Sequence, residues 1–296
     1  MIGVTHIGKG VYMIDNGGLY YDRTNATYVV RSDGKAIVVD TGYASRYERV
    51  KRALASIGVS RDELSVIALT HVHLDHCGAA SKLVKDYPNA TVIVHPKGSK
   101  HLIDPTKLLE STRSIFRPRD FEAMGGMDPM ESSRVVEVSD EEDVEVGGVT
   151  LRTIYTPGHA PHHVAYLLLP HNYVFVGDAL STRGVVFSVP LPDTVPPKFD
   201  YEQGLRSIER IFELGAKLIF LTHYGSYLST DELKEEELSL YRSWFERIRA
   251  LKNEKLDHDA IAEAIIRDYE SVLRARLHPV ARDWIRRYVL GAYLSV

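Results

Sequence analysis

Four times in this chain a short β-type apolar run ends on a side chain able to hold a metal ion. Residues 66–69 lead into Thr70-His71-Val72-His73-Leu74-Asp75-His76, and the run ending at Tyr155 leads into Thr156-Pro157-Gly158-His159. Residues 173–176 lead into Gly177-Asp178, and 217–221 into Thr222-His223. Ligand-type residues at the C-terminal ends of several neighbouring strands are how α/β sheets build sites, the rigid sheet holding geometry while loops supply chemistry. Within the first motif, alternate residues of an extended backbone share a side, so His71, His73 and Asp75 form one row. His76 breaks that row, so the chain must turn inside the motif, and the turn could carry Asp75 and His76 to a second ion.

Composition narrows the donors. One cysteine against thirteen histidines excludes an intrachain disulfide framework and any cysteine-based zinc cluster, leaving His, Asp and Glu as ligands. Thirty-six Lys plus Arg against forty Asp plus Glu give a net charge of −4, so no global positive field draws the chain to nucleic acid or an anionic membrane. No apolar run approaches the roughly 20 residues of a membrane span, and the start lacks a signal-peptide layout. The expectation is a cytoplasmic protein with a small-molecule substrate and neither nucleic acid nor membrane as partner.

Along the chain, strands 28–30 and 36–39 flank the turn Ser32-Asp33-Gly34, and Ser45 with Glu48 reads as a capping box opening a helix that Gly58 stops. A strand at 66–70, a helix at 78–85 and a strand at 91–95 follow. From 96 to 133 the β pattern lapses into short helices broken by Pro105, Pro118, Gly125-Gly126 and Pro129, an insertion read as a lid. Strands resume at 134–138, 149–155, 164–169 and 173–176. Asp200 with Gln203 forms another capping pattern before the strand at 217–221. Beyond Ser229 three helical patterns run to the end, with Trp244, Phe245, Trp284 and Tyr288 at packing positions and a homo-oligomer contact left open to some of them. The run Glu235-Glu236-Glu237 reads as a solvated face. The expected organisation is a catalytic unit at 1–228 and a helical extension at 229–296, with helices packed outside sheets.

The motifs from Thr70 to His223, in this order, resemble the metallo-β-lactamase superfamily and within it the branch of glyoxalase II-like hydrolases, over roughly the first 228 residues. The resemblance implies an αββα sandwich with the site along one edge of two sheets. It implies His71, His73 and His159 on one metal, Asp75, His76 and His223 on a second, and Asp178 bridging two divalent ions, zinc ahead of iron or manganese. It gives Asp40 the task of orienting the metal loop by hydrogen bonds, and His163 a structural task. Two departures stand out: His162 occupies a position where many relatives have glycine, and Thr222-His223-Tyr224-Gly225 replaces the Gly-His-Glu usual in glyoxalase II enzymes, which removes glutathione thioesters as a safe expectation. Tyr224 is assigned a hydrogen bond to a substrate oxygen. The implied reaction is hydrolysis of a thioester, lactone or related ester by a metal-held hydroxide that Asp75 orients and deprotonates. The alternative is a persulfide dioxygenase of the same fold with a single iron held by two His and one Asp; nuclease relatives fit the acidic balance poorly, and a non-enzymatic binding protein fits least. Cys77 is expected to be merely buried, and His95, His101 and His162 to be structural or surface histidines.

Overall fold

The computed structural model describes residues 3–183 and 189–296. Its first sheet opens as an antiparallel meander of β1 (Val4–Gly8), β2 (Val11–Asp15), β3 (Ala26–Ser32) and β4 (Lys35–Val39). The last two meet at Asp33-Gly34, both at positive φ, as a two-residue hairpin of the favoured twist requires. From there the chain crosses over in parallel steps: α1 (Tyr47–Ser56) to β5 (Leu64–Ala68), then α2 (Leu74–Cys77) and α3 (Ala80–Asp86) to β6 (Thr91–Val94). The insertion is helical, α4 (Pro96–Ile103), α5 (Thr106–Ile115) and α6 (Pro118–Met124), and β7 (Val135–Glu137) closes the sheet beside β6.

The second sheet holds β8 (Asp143–Val146), β9 (Val149–Tyr155), β10 (Val164–Leu169) and β11 (Tyr173–Phe175). After α7 (Tyr201–Glu213), β12 (Leu218–Leu221) and β13 (Gly225–Leu228) complete it in the spatial order β13-β12-β11-β10-β9-β8. Tyr28, Ile37, Tyr166, Phe175 and Phe220 fill the space between the sheets. The outer face of the first sheet packs on α1 and α3 through Val50, Leu54 and Leu83, and that of the second on α7 through Ile208 and Ile211. This is the expected αββα arrangement. The tail forms α8 (Asp231–Asn253), α9 (His258–Leu273) and α10 (Pro279–Ser295), whose Phe245, Ile265 and Ile285 join the α7 core. No helix among the described residues is long and apolar enough to cross a membrane.

Several local expectations need correction. A 3₁₀ turn precedes α1, its N-cap is Arg46 with no side-chain bond, and the Ser45 capping box does not form. Asp200 does cap α7, accepting from the Gln203 N–H at 2.9 Å. Strands β1, β2, β8 and β13 were not read from the sequence. Most of these are edge or near-edge strands with only partial burial, so their apolar alternation is weak. Glu237 is not on a solvated face. It is fully buried, and its carboxylate accepts from the Ser181 N–H at 2.8 Å and from Arg183 Nη2 at 2.8 Å. At the other end of the tail, a Cβ on Gly291 would stand 1.8 Å from the Thr194 carbonyl oxygen, so only glycine lets α10 lie against that segment.

Candidate metal centre

The chain bends at Thr70 after β5 and again at His73, which caps α2 in an extended conformation, so Asp75 and His76 project from a helical turn rather than from the segment that carries His71 and His73. The expected turn thus lies between the two pairs. His71 Nε2 and His73 Nδ1 stand 2.9 Å apart, and His159 Nε2, delivered by the loop after β9, is 3.0 Å from His73 Nδ1. On the other side His223 Nε2 lies 3.6 Å from Asp75 Oδ2, with His76 Nε2 at 3.9 Å from the same oxygen. Between the groups sits Asp178 Oδ2, 3.0 Å from His76, 3.4 Å from His223, 3.5 Å from His159 and 3.7 Å from His71. Ligand atoms within each of the trios His71-His73-His159, His71-His76-Asp178 and Asp75-His76-His223 lie within 4.8 Å of one another. Gly177 makes this possible: at φ +53 it turns the chain after β11, and a Cβ there would meet His163 Nε2 at 2.6 Å.

The surrounding hydrogen bonds fix which nitrogen faces inward. Asp40 Oδ2 accepts from His76 Nδ1 at 2.8 Å and from the Thr222 hydroxyl at 2.8 Å, while Oδ1 accepts from the Thr70 N–H at 2.9 Å. His76 therefore carries its proton on Nδ1 and presents Nε2. His223 Nδ1 donates to the Thr24 carbonyl at 3.0 Å and likewise presents Nε2. His163 Nε2 accepts from the Asp178 N–H at 3.0 Å and its Nδ1 faces the Thr156 hydroxyl at 2.8 Å, a positioning role for the loop that carries Asp178.

This donor set fits divalent metal. Buried, otherwise apolar surroundings normally demand a partner for each polar atom, yet His76 Nε2 and Asp178 Oδ1 have no hydrogen-bond partner. Burial and the neighbouring histidines hold His71 and His73 well below the usual histidine range, hence neutral and ready as ligands. Burial is the largest single influence and opposes charge on His76 and His223, but the surrounding carboxylates together outweigh it, Asp178 first, with Asp40 and Asp75 at His76 and Asp193 and Asp75 at His223, raising His76 well above its ordinary value and His223 to about 10. The carboxylates thus call positive charge into a buried cluster. Mixed imidazole and carboxylate donors suit zinc, iron or manganese.

Sequence reasoning missed Asp193. Its Oδ1 stands 3.3 Å from His159 Nδ1, and its Oδ2 accepts from the Tyr288 hydroxyl at 3.0 Å and the Thr182 hydroxyl at 3.1 Å. Helix α10 therefore reaches the metal-side histidine through one carboxylate. A cavity of about 910 Å³ opens above the cluster. Leu108, Ile115 and Phe116 of α5 and its C-terminal end form one wall, and Val280 and Trp284 of α10 form another. The Arg117–Asp283 pair at 2.7 Å joins the insertion to α10.

Tyr224 is not among the residues lining that cavity. It takes φ 86 in the tight link between β12 and β13, and its ring packs against the core between the sheets, so the assigned contact with substrate is not supported by its placement. Trp284, read as packing, instead lines the cavity and meets His223 edge-on with ring centroids 5.0 Å apart. His101 and His162 line the cavity too, whereas His95 caps α4 by accepting from the Lys97 N–H. Cys77 is buried with its thiol toward the Val72 carbonyl.

The family model described as the metallo-beta-lactamase superfamily matches residues 20–223. The chain belongs to the metallo-β-lactamase superfamily. A metallo-beta-lactamase fold-containing protein, ST1585, from Sulfurisphaera tokodaii is 30% identical over 234 residues, 78% of this chain and 83% of that protein. The solved structure of ST1585 superposes with a TM-score of 0.66, covering 78% of this chain and 86% of the other. A metallo-beta-lactamase family protein from Thermus thermophilus, TTHA1429, shares the fold at 21% identity and a TM-score of 0.70, covering 97% of this chain and 93% of its own. An Aspergillus fumigatus protein named atrochrysone carboxyl ACP thioesterase is 24% identical over 75% of this chain, which spans 56% of its length.

Proposed function

We propose that this superfamily member is a dinuclear metal-dependent hydrolase of the glyoxalase II-like kind, acting on a thioester or, failing that, a lactone or related ester. The observation that carries the reading is the pair of donor groups meeting at Asp178 on the floor of a deep, largely apolar cavity. His71, His73 and His159 would hold one ion, Asp75, His76 and His223 the other, with Asp178 shared. Divalent ions in this position supply a strong electrophile and bring the pKa of water from 15.7 to about 7. Neutral His71 and His73 bind without first losing a proton. Asp75, the ligand carboxylate left partly open to the cavity at 19% side-chain exposure, orients the attacking water and takes its proton. The apolar walls exclude bulk water and seat the acyl portion. A relative that bears the name of a thioesterase supports placing thioesters first. The test is His71→Ala with His73→Ala: hydrolysis of a thioester panel should fall to background together with metal content, and retained turnover by metal-free protein would overturn the reading.

A further inference from the structure

The outer part of the cavity carries a feature that ester hydrolysis does not require. Exposed Lys97 and Lys100 from α4, Lys107 from α5, and Lys198 all line it, and none forms an ion pair among the described residues. The arginines of the same cavity behave differently: Arg117 and Arg119 are paired with Asp120, and Arg287 lies over the Phe116 ring at 5.0 Å. In a chain of net charge −4, carboxylates are plentiful, so four ammonium groups without an ion-pair partner along one cavity give that part of it a local positive charge suited to an anion. His101 lies among them; burial first, then Lys100, Lys107 and Lys198, keep it neutral. Its ring is 6.5 Å from that of His162, which is 6.2 Å from that of His73. The ring series His101, His162, His73 thus runs from the lysine-lined part of the cavity to the metal ligands, and the lysines beside His101 are placed to hold another part of the molecule whose carbonyl reacts at the cluster.

We propose that these lysines bind the phosphate of a phosphorylated thiol carrier, so that the substrate is an acyl thioester on a phosphopantetheine-type arm. The inference rests on the hydrolytic reading above and names its substrate class. The acyl chain lies against Leu108, Ile115 and Val280, the scissile carbonyl at the donor cluster, and the phosphate among Lys100, Lys107 and Lys198. In the reaction a water oxygen bonds to the acyl carbon, the carbon–sulfur bond breaks, and a carboxylate, a thiol and one proton leave. The Arg117–Asp283 tie across the cavity suits an arm entering end-on better than a nucleic-acid strand laid through it.

The experiment compares metal-loaded full-length protein with Lys100→Ala/Lys107→Ala/Lys198→Ala on octanoyl-coenzyme A, on an octanoyl acyl carrier protein and on octanoyl-N-acetylcysteamine, which lacks phosphate. The native chain should prefer a phosphate-bearing thioester by at least tenfold in kcat/KM, through KM, with the preference weakening as salt rises. The variant should lose most of that preference; whichever carrier shows the larger lysine-dependent effect is the source. A preference unaltered by the variant overturns the proposal, as does lysine-dependent cleavage of a single-stranded RNA with no lysine effect on the thioesters. Should no thioester turn over, the placing of thioesters first in the hydrolytic reading fails by itself. Titration with S-octyl-coenzyme A, a thioether that cannot be cleaved, then decides the lysine site: at least tenfold weaker binding by the variant upholds it, and equal binding overturns it.

Discussion

Asp40→Asn isolates what holds the metal loop in place. Asp40 is fully buried and gathers the Thr70 N–H, the hydroxyls of Thr70 and Thr222, and His76 Nδ1–H at 2.8 to 3.1 Å. Asparagine keeps the shape and one acceptor, enough for the two donors of Thr70. Its amide then faces Thr222 and His76. Thr222 can rotate to accept, but His76 cannot: without metal, Asp178 at 3.0 Å from Nε2 favours a ring protonated on both nitrogens, and with metal bound Nε2 is a ligand and Nδ1 keeps the proton. One buried charge-assisted bond is lost and a donor faces a donor, which together cost about 2–5 kcal/mol. That is a large share of the roughly 5–15 kcal/mol typical of a domain, yet leaves a folded protein at low temperature. Loss of the partner that orients a metal-bound imidazole lowers metal affinity by about 10- to 100-fold. Urea unfolding of the metal-free variant measures the first effect, and competition with a chromophoric chelator the second. A loss under 1 kcal/mol, with metal affinity within about threefold of native, would refute the reasoning.

Gly291→Ala should force α10 off the Thr194–Pro196 backbone, cost more than about 3 kcal/mol as an overpacking change, and lower kcat/KM because Trp284 and Tyr288 move with the helix; native-like unfolding and activity would contradict it. His162 should give a pH signature. Burial, reinforced by His101, His159 and His95, takes its pKa down to about 3 against 6.5 unfolded, so below pH 6.5 the unfolded chain takes up a proton that the folded chain refuses. Its contribution is complete above pH 6.5 and lost as pH falls toward 3, at about 1.4 kcal/mol per pH unit. Between pH 7 and pH 5 the native chain should therefore lose about 2 kcal/mol more stability than His162→Gln in urea unfolding, and parallel losses would count against a buried neutral His162.

Much of the site could be read from the sequence because its ligands follow buried strands, and the geometry of a strand end survives translation from pattern to structure. His71, His73, His159, Asp178 and His223 come together from four such ends. Asp193 could not be found that way. It sits in the Leu191-Pro192-Asp193-Thr194 stretch with no periodicity, and its place is set by Tyr288, 95 residues further on. Glu237 was within reach: it lies four residues before Tyr241 and eight before Phe245 on the buried stripe of α8, and reading the acidic run as a unit hid that phase. For Trp284, helical spacing marked an apolar residue without telling whether it faced core or cavity, a choice settled by how α10 docks. Tyr224 shows the converse: sequence adjacency to a ligand does not fix direction when the next link is a tight turn at positive φ.

The most direct test of the account is a metal titration of chelator-stripped protein with thioester hydrolysis and oxygen consumption read side by side. Activity should rise with added zinc or manganese and level off at two ions per chain, with no oxygen uptake. A plateau at one iron per chain, with thiol-dependent oxygen consumption and no thioester cleavage, would contradict the central claim and favour a dioxygenase on the same fold.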